Sequence, residues 1–224
     1  MDEPPLPWPG VLDPSLLSEA VSTAGHKMVD AAVAGDWPTL FDLLDATPGL
    51  SVNQSRPGGP DWDTPLHQAA RHGAPPKVIA ALLERGALRS LRNARGWTAR
   101  DVALQLRHPM TLIAQLTPPP TPLSAQRARA LDDNLAWVID GTIRARQILT
   151  AHSDLDLRRT LRYPPVAVLH EAPAGSVRFA IPGFPNGIRV TLHRGYLETA
   201  SAGQVHVITH RGALLVTESS AGIT

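Results

Sequence analysis

The chain has 224 residues, 43% of them hydrophobic, enough to build more than one small core. Its 21 Lys and Arg against 20 Asp and Glu leave a formal charge of +1, which argues against bulk electrostatic binding to nucleic acid or membrane. The absence of Cys excludes disulfides and thiolate metal sites, and no apolar run approaches the ~18 residues that a membrane-spanning helix needs.

Residues 1–21 open on the acidic, Pro-rich stretch Met1-Asp2-Glu3-Pro4-Pro5 and hold Pro7, Trp8, Pro9 and Pro14. They are predicted to form a flexible or polyproline arm. The stretch lacks the pattern of a secretory signal, so a cytoplasmic location is expected. Lys27 and Lys77 are the only lysines; so Arg-rich and Ala- and Pro-rich a composition reads as a GC-rich genome rather than an Arg-specific function.

Met28 to Asp36, followed by Leu40, Leu43 and Leu44, reads as a first helix pair. The segment from Pro48 to Asp63 is a long loop rich in Pro, Gly and Ser. Within it Gly58-Gly59 is a turn rather than a phosphate loop, because no Gly-Lys-Ser/Thr follows. Thr64-Pro65-Leu66-His67-Gln68-Ala69-Ala70-Arg71-His72-Gly73 is the most specific stretch of the chain. Pro65 suits a first helical turn and Thr64 can cap it, with His67 within reach of the Thr64 hydroxyl. Ala69 and Ala70 let a neighbouring helix approach, and Gly73 suits a left-handed helix end. Leu82, Leu83, Gly86 and Ala87 close a second helix. Asn93 to Ala103 repeats the theme, with Thr98 placed 34 positions after Thr64 but with Ala99 in place of Pro and Asp101 in place of His. Leu112, Ile113 and Leu116 mark the last helix.

These stretches resemble ankyrin repeats, whose period is about 33 residues. The resemblance covers residues 22–117 as about three repeats, the first and last degenerate, and implies stacked helix pairs that bury a shared core. It also implies that protein partners meet the finger tips and the exposed side of the first helices. The matching positions are Asp61, Asp63, Arg71 and His72 in one repeat, and Ala94, Arg95, Trp97 and Gln105 in the next. Trp62 stands where the family usually has Gly. Two readings of the tryptophans stay open: Trp62 and Trp97 form an exposed hot spot beside Arg, or they pack on each other to stiffen the fingers.

The Pro cluster from Pro118 to Pro122 ends the helical array, and residues 118–124 are read as a linker. Leu131, Leu135, Val138, Thr142, Ala145 and Leu149 then predict one amphipathic helix over 125–151. Alternation predicts strands at Val166 to His170, Val177 to Ile181, Ile188 to Leu192, Tyr196 to Ala200, Val205 to Thr209 and Leu214 to Val216. Val205, Val207 and Thr209 are assigned to the core side; Arg178, Arg189, His193, His206 and His210 point outward beside Arg211, a basic patch suited to an acidic partner or RNA but poor in aromatics. Residues 165–217, through Pro182-Gly183-Phe184 and His206-Val207-Ile208-Thr209, resemble a domain of no settled activity that follows ankyrin repeats in bacterial proteins. The expected fold is α+β: a short ankyrin-repeat α-solenoid followed, over 125–224, by a small domain of one long helix packed on an antiparallel β-meander.

The chemistry-bearing residues are scattered. Nine His without Cys, and without a helical His-x-x-x-His, support no metal site. No Gly-x-Ser-x-Gly occurs, and Ser219 and Ser220 fall in a tail expected to fray. Asp132-Asp133 and Asp154/Asp156 read as solvated carboxylates. No catalytic residue and no cofactor is assigned. The expected function is a non-enzymatic, bacterial-type scaffold for an unidentified protein partner, bound through Trp62, Asp63, Arg71, His72, Arg95 and Trp97, with no membrane or nucleic-acid role. One alternative is an immunity protein that neutralises a toxin. Another is enzymatic or metal chemistry in the C-terminal sheet, which requires His170, Glu171, His193 and His206 to converge.

Overall fold

The computed structural model describes residues 4–149 and 157–218. Asp154, Asp156, Ser219, Ser220 and the last part of the expected long helix lie outside the described residues. The chain divides into two compact units, one of residues 11–119 and one joining residues 1–10 to 120–224.

The first unit is three helix pairs: α1 (Glu19–Ala34) with α2 (Trp37–Ala46), α3 (Pro65–His72) with α4 (Pro76–Glu84), and α5 (Ala99–Gln105) with α6 (Met110–Gln115). Several of the starts and stops have a local cause. Ser18 Oγ accepts the Val21 amide ahead of α1, and Asp36 Oδ1 accepts the Thr39 amide at 3.2 Å ahead of α2. Gly35 and Gly73 end α1 and α3 in the left-handed region, at φ 74° and 61°. Met28, Leu40, Leu66, Ile79, Leu82, Ala103 and Leu116 form the shared core. Ala69 and Ala70 are fully buried and leave α3 room beside α1 and α5. The loop before α3 is anchored: buried Asn53 donates from Nδ2 to the Gly86 carbonyl at 2.8 Å, and its Oδ1 accepts the Leu88 amide at 2.9 Å.

The second unit is a six-stranded sheet backed by α7 (Ala125–Ala145), with the short helices α8 (Leu157–Thr160) and α9 (Val166–Leu169). In sheet order the strands are β1 (Leu6–Trp8), β2 (Ser176–Ile181), β3 (Phe184–Leu192), β4 (Leu197–Ser201), β5 (Gln204–Thr209) and β6 (Gly212–Glu218). Leu131, Leu135, Ile139 and Ile143 of α7 and Val177, Phe179, Ile188, Val190, Leu197 and Ile208 of the sheet are buried. Pro182-Gly183 makes the expected tight turn, with Gly183 at φ 78° and Ile181 paired to Phe184.

Four sequence expectations change. The N-terminal arm contributes β1, which pairs parallel with β2, so the sheet is mixed rather than wholly antiparallel. Trp8 secures it: its side chain is 3% exposed and Nε1 donates to the Arg162 carbonyl at 2.7 Å. The strand expected at Val166 to His170 is instead α9, begun by Pro165, which buries Val166, Val168 and Leu169 together. The long helix stops at Ala145, and the backbone leaves helical space at Gln147 (φ 51°) and Leu149 (φ 62°). The two faces of β5 are exchanged. Ile208 is fully buried opposite Leu197, so Gln204, His206 and Ile208 face α7, and Val205, Val207 and Thr209 face away. A strand with β-branched residues on both faces specifies its facing weakly, and a slip of one residue moves every side chain across.

Candidate functional site

The loop entering α5 forms a finger organised by one side chain. Asn93 is 6% exposed. Its Oδ1 accepts the amides of Arg95 and Trp97, both at 3.0 Å, and its own amide donates to the Trp97 carbonyl at 2.9 Å. The turn closes at Gly96, φ 76°. Asn93 Nδ2 in turn donates to Asp63 Oδ1 at 2.8 Å, which joins this finger to the preceding one; the Ala94 amide adds a bond to the Asp61 carbonyl at 2.9 Å.

Asp63 is therefore fully engaged. Oδ2 accepts from Arg71 Nη2 at 2.7 Å and from Gln68 Nε2 at 3.4 Å. Its side chain is 9% exposed while Arg71 is 50% exposed, so a half-open guanidinium stands on a buried carboxylate. Around this pair lies a concavity of about 330 Å³ lined by Val33, Asp61, Gln68, Arg71, Asn93 and Arg95. Arg95 is exposed and its guanidinium lies 5.7 Å from the centroid of the Trp97 ring. Trp97 is partly buried against the helical core. Trp62 is half-buried and holds φ 55°, a backbone conformation that a bulky side chain rarely adopts.

Three of the four histidines of this unit, His67, His72 and His108, are structural ties. His67 Nδ1 accepts the Thr64 amide at 3.3 Å and Nε2 reaches the Trp97 carbonyl at 3.0 Å. Asp101 substitutes for it in the next repeat, where Oδ2 accepts the Thr98 amide at 2.9 Å and the Thr98 hydroxyl at 2.8 Å. His72 Nε2 lies 2.9 Å from the Val33 carbonyl, and His108 Nε2 lies 3.4 Å from the Arg71 carbonyl. Each ring serves a carbonyl in the last turn of the preceding repeat's first helix, where acceptors lack intrahelical donors. His72 also meets Trp37 edge-on, with centroids 5.9 Å apart.

The six residues expected to meet a partner thus occupy one neighbourhood in two layers. Asp63 and His72 are committed to bonds within the unit, Arg71 and Trp97 are half committed, Arg95 is exposed beside the Trp97 ring, and Trp62 is half-buried. Asn93, the centre of the network, was not singled out in sequence. Its signal is an Asn opening a turn that ends in Gly, Asn93-Ala94-Arg95-Gly96.

In the sheet unit the expected basic patch divides. Arg178 and Arg189 are exposed on the outer face, whereas His206 is on the face toward α7, where burial lowers its pKa. His193 stacks on Tyr196 at 4.8 Å and lies 3.8 Å from Glu198. His170 Nε2 lies 2.8 Å from Thr121 Oγ1. Among the described residues no group of three or more His, Asp or Glu could hold a metal ion. Asp132 is not a solvated carboxylate: Oδ1 accepts the Val166 amide at 2.7 Å, and burial raises its pKa to about 6. No helix among the described residues is long and apolar enough to cross a membrane.

Residues 43–103, from within α2 to within α5, match the family described as ankyrin repeats (many copies). An 87-residue stretch is 39% identical to the probable E3 ubiquitin-protein ligase XBOS32 of Oryza sativa subsp. japonica; it makes up 39% of this chain, which spans 17% of the length of that protein. The chain therefore combines ankyrin repeats with a mixed six-stranded sheet in an α+β fold.

Proposed function

We propose that the ankyrin repeats are a non-enzymatic binding surface for a protein partner, contacted through the finger tips and the concavity between them. The observation that carries this reading is the exposed Arg95 guanidinium beside Trp97, lining a concavity whose other walls are tied by hydrogen bonds through Asp63. The buried Asn93–Asp63 bond fixes both fingers beforehand, so little ordering cost remains for association. Trp and Arg side by side are the residue types that dominate binding energies at such surfaces. Ligase chemistry does not follow from the relative named above, which shares only one short stretch with this chain. The 224 residues contain no Cys, so they offer neither a transfer thiol nor a Cys–zinc module.

The test is capture of the partner by the intact chain, followed by hydrogen exchange of the complex. Protection over residues 61–71 and 93–97, with capture weakened by Trp62→Ala and Arg95→Ala, supports the reading. Protection confined to residues 176–218 overturns it. Trp97→Ala is a poor probe, because Trp97 packs on the core.

A further inference from the structure

One line of directly opposed residues crosses the whole sheet on its outer face: Pro7, Arg178, Arg189, Ala200, Val205 and Thr217. Two arginines stand side by side in it, flanked by small or apolar residues, with no carboxylate in the row. Directly opposed side chains begin about 5 Å apart, and like charges at that spacing repel. The acidic residue of the neighbouring row, Glu198, stands 3.8 Å from His193. Arg189 has no hydrogen-bond or ion-pair partner among the described residues.

The backbone is shaped around this pair. Between Phe179 and Ile181 the register shifts, and β3 bulges at Asn186 and Gly187, both in the left-handed region at φ 64° and 60°. A Cβ at Gly187 would lie 2.2 Å from the Phe179 carbonyl oxygen, so only Gly fits there. The bulge presents the Asn186 carbonyl to Arg178, whose Nε donates to it at 3.1 Å. The Arg178 guanidinium is thereby held in one orientation. The row and the bulge, with the turn at Ala202-Gly203, line a concavity of about 570 Å³.

We propose that this concavity binds a phosphate monoester. A planar carboxylate is satisfied by one guanidinium fork, whereas a tetrahedral dianion presents enough oxygens and charge for two. Cross-strand repulsion between Arg178 and Arg189 is what such a dianion relieves. The proposal does not rest on the reading of the ankyrin repeats.

The experiment is calorimetric titration of the full chain with O-phosphoserine, and with glutamate at the same ionic strength. The expected result is saturable binding of phosphoserine, and at least about tenfold weaker binding of glutamate and of phosphoserine to Arg189→Ala. Arg178→Lys, which keeps the charge and loses the fork, is expected to weaken phosphoserine binding severalfold. Arg189→Ala should melt no lower than the parent chain, since it relieves repulsion; Arg178→Lys also gives up the hydrogen bonds to Asn186, so its binding is read at a temperature where melts show it folded. A phosphoserine decapeptide that binds more tightly than the free amino acid assigns the site to a phosphorylated protein segment; equal affinity assigns it to a small phosphorylated ligand, and both support the site. Absence of binding to the parent chain, or equal binding to all three proteins, overturns the proposal.

Discussion

The His67 ring bonds the Thr64 amide through Nδ1 and the Trp97 carbonyl through Nε2, at 3.3 and 3.0 Å. An amide only donates and a carbonyl only accepts, so the ring is neutral with its proton on Nε2. One buried side chain therefore caps α3 and ties its repeat to the next finger. His67→Ala takes from the Thr64 amide its acceptor, removes one of the two donors to the Trp97 carbonyl and opens a void, at an expected cost of about 2 kcal/mol or more. Urea denaturation of the variant checks this. A change below about 0.5 kcal/mol would show that the tie contributes nothing net.

A second repeat-to-repeat relationship gives a paired expectation. Gly35, Gly73 and Arg107 follow the three first helices, with φ 74°, 61° and 58°. At Gly73 a Cβ would also come 2.6 Å from His108 Cε1. Gly73→Ala should destabilise by about 1–2 kcal/mol, from backbone strain plus displacement of His108. Arg107→Gly should do the opposite and stabilise by up to about 1 kcal/mol, because the third repeat holds a side chain where the others have none. Thermal melts of both variants decide; a change of the same sign at both positions counts against the equivalence.

Much of the helical unit was legible because its signals are local. Thr64, Pro65 and Gly73 act on the residues beside them, and a 34-residue spacing links Thr64 to Thr98. The finger was less legible, because Asn93 and Asp63 meet only after two repeats stack. Asp63, Arg71 and His72 were readable as residue types, but their division between buried bonds and open surface depends on that stacking. In the sheet unit the sequence pattern found most strands and misplaced their surroundings. Val166 to Leu169 carries β-branched residues yet turns helical after Pro164-Pro165. Val205 and Val207 compete with Ile208 for the core, and only the partner strand decides. β1 pairs with a strand some 170 residues away, which no local pattern records.

Asp132 makes stability depend on pH in an unusual direction for a carboxylate. Burial raises its pKa from 3.8 to about 6, so the folded chain binds this proton more readily than the unfolded chain. Its favourable contribution is complete below about pH 4 and is lost as pH rises through about 6, amounting to about 3 kcal/mol at most. Asp132→Asn still offers an oxygen to the Val166 amide but carries no charge. The variant should be more stable than the parent chain at pH 7.5 and should lose that advantage at pH 4. Urea midpoints at the two pH values test this, and an equal difference at both would contradict it.

Trp62 separates stability from binding. Its φ of 55° costs a bulky residue about 1–2 kcal/mol that Gly does not bear. The ring is half-buried, so Trp62→Gly forfeits some packing as well. The two terms oppose each other, and the variant is expected to melt within a few degrees of the parent chain. On the proposed function, Trp62 holds this conformation for contact with the partner. Partner capture by Trp62→Gly should therefore fall by about tenfold or more while the fold persists. Capture unchanged in a stable variant would remove Trp62 from the interface and leave Arg95 and Trp97 as its centre.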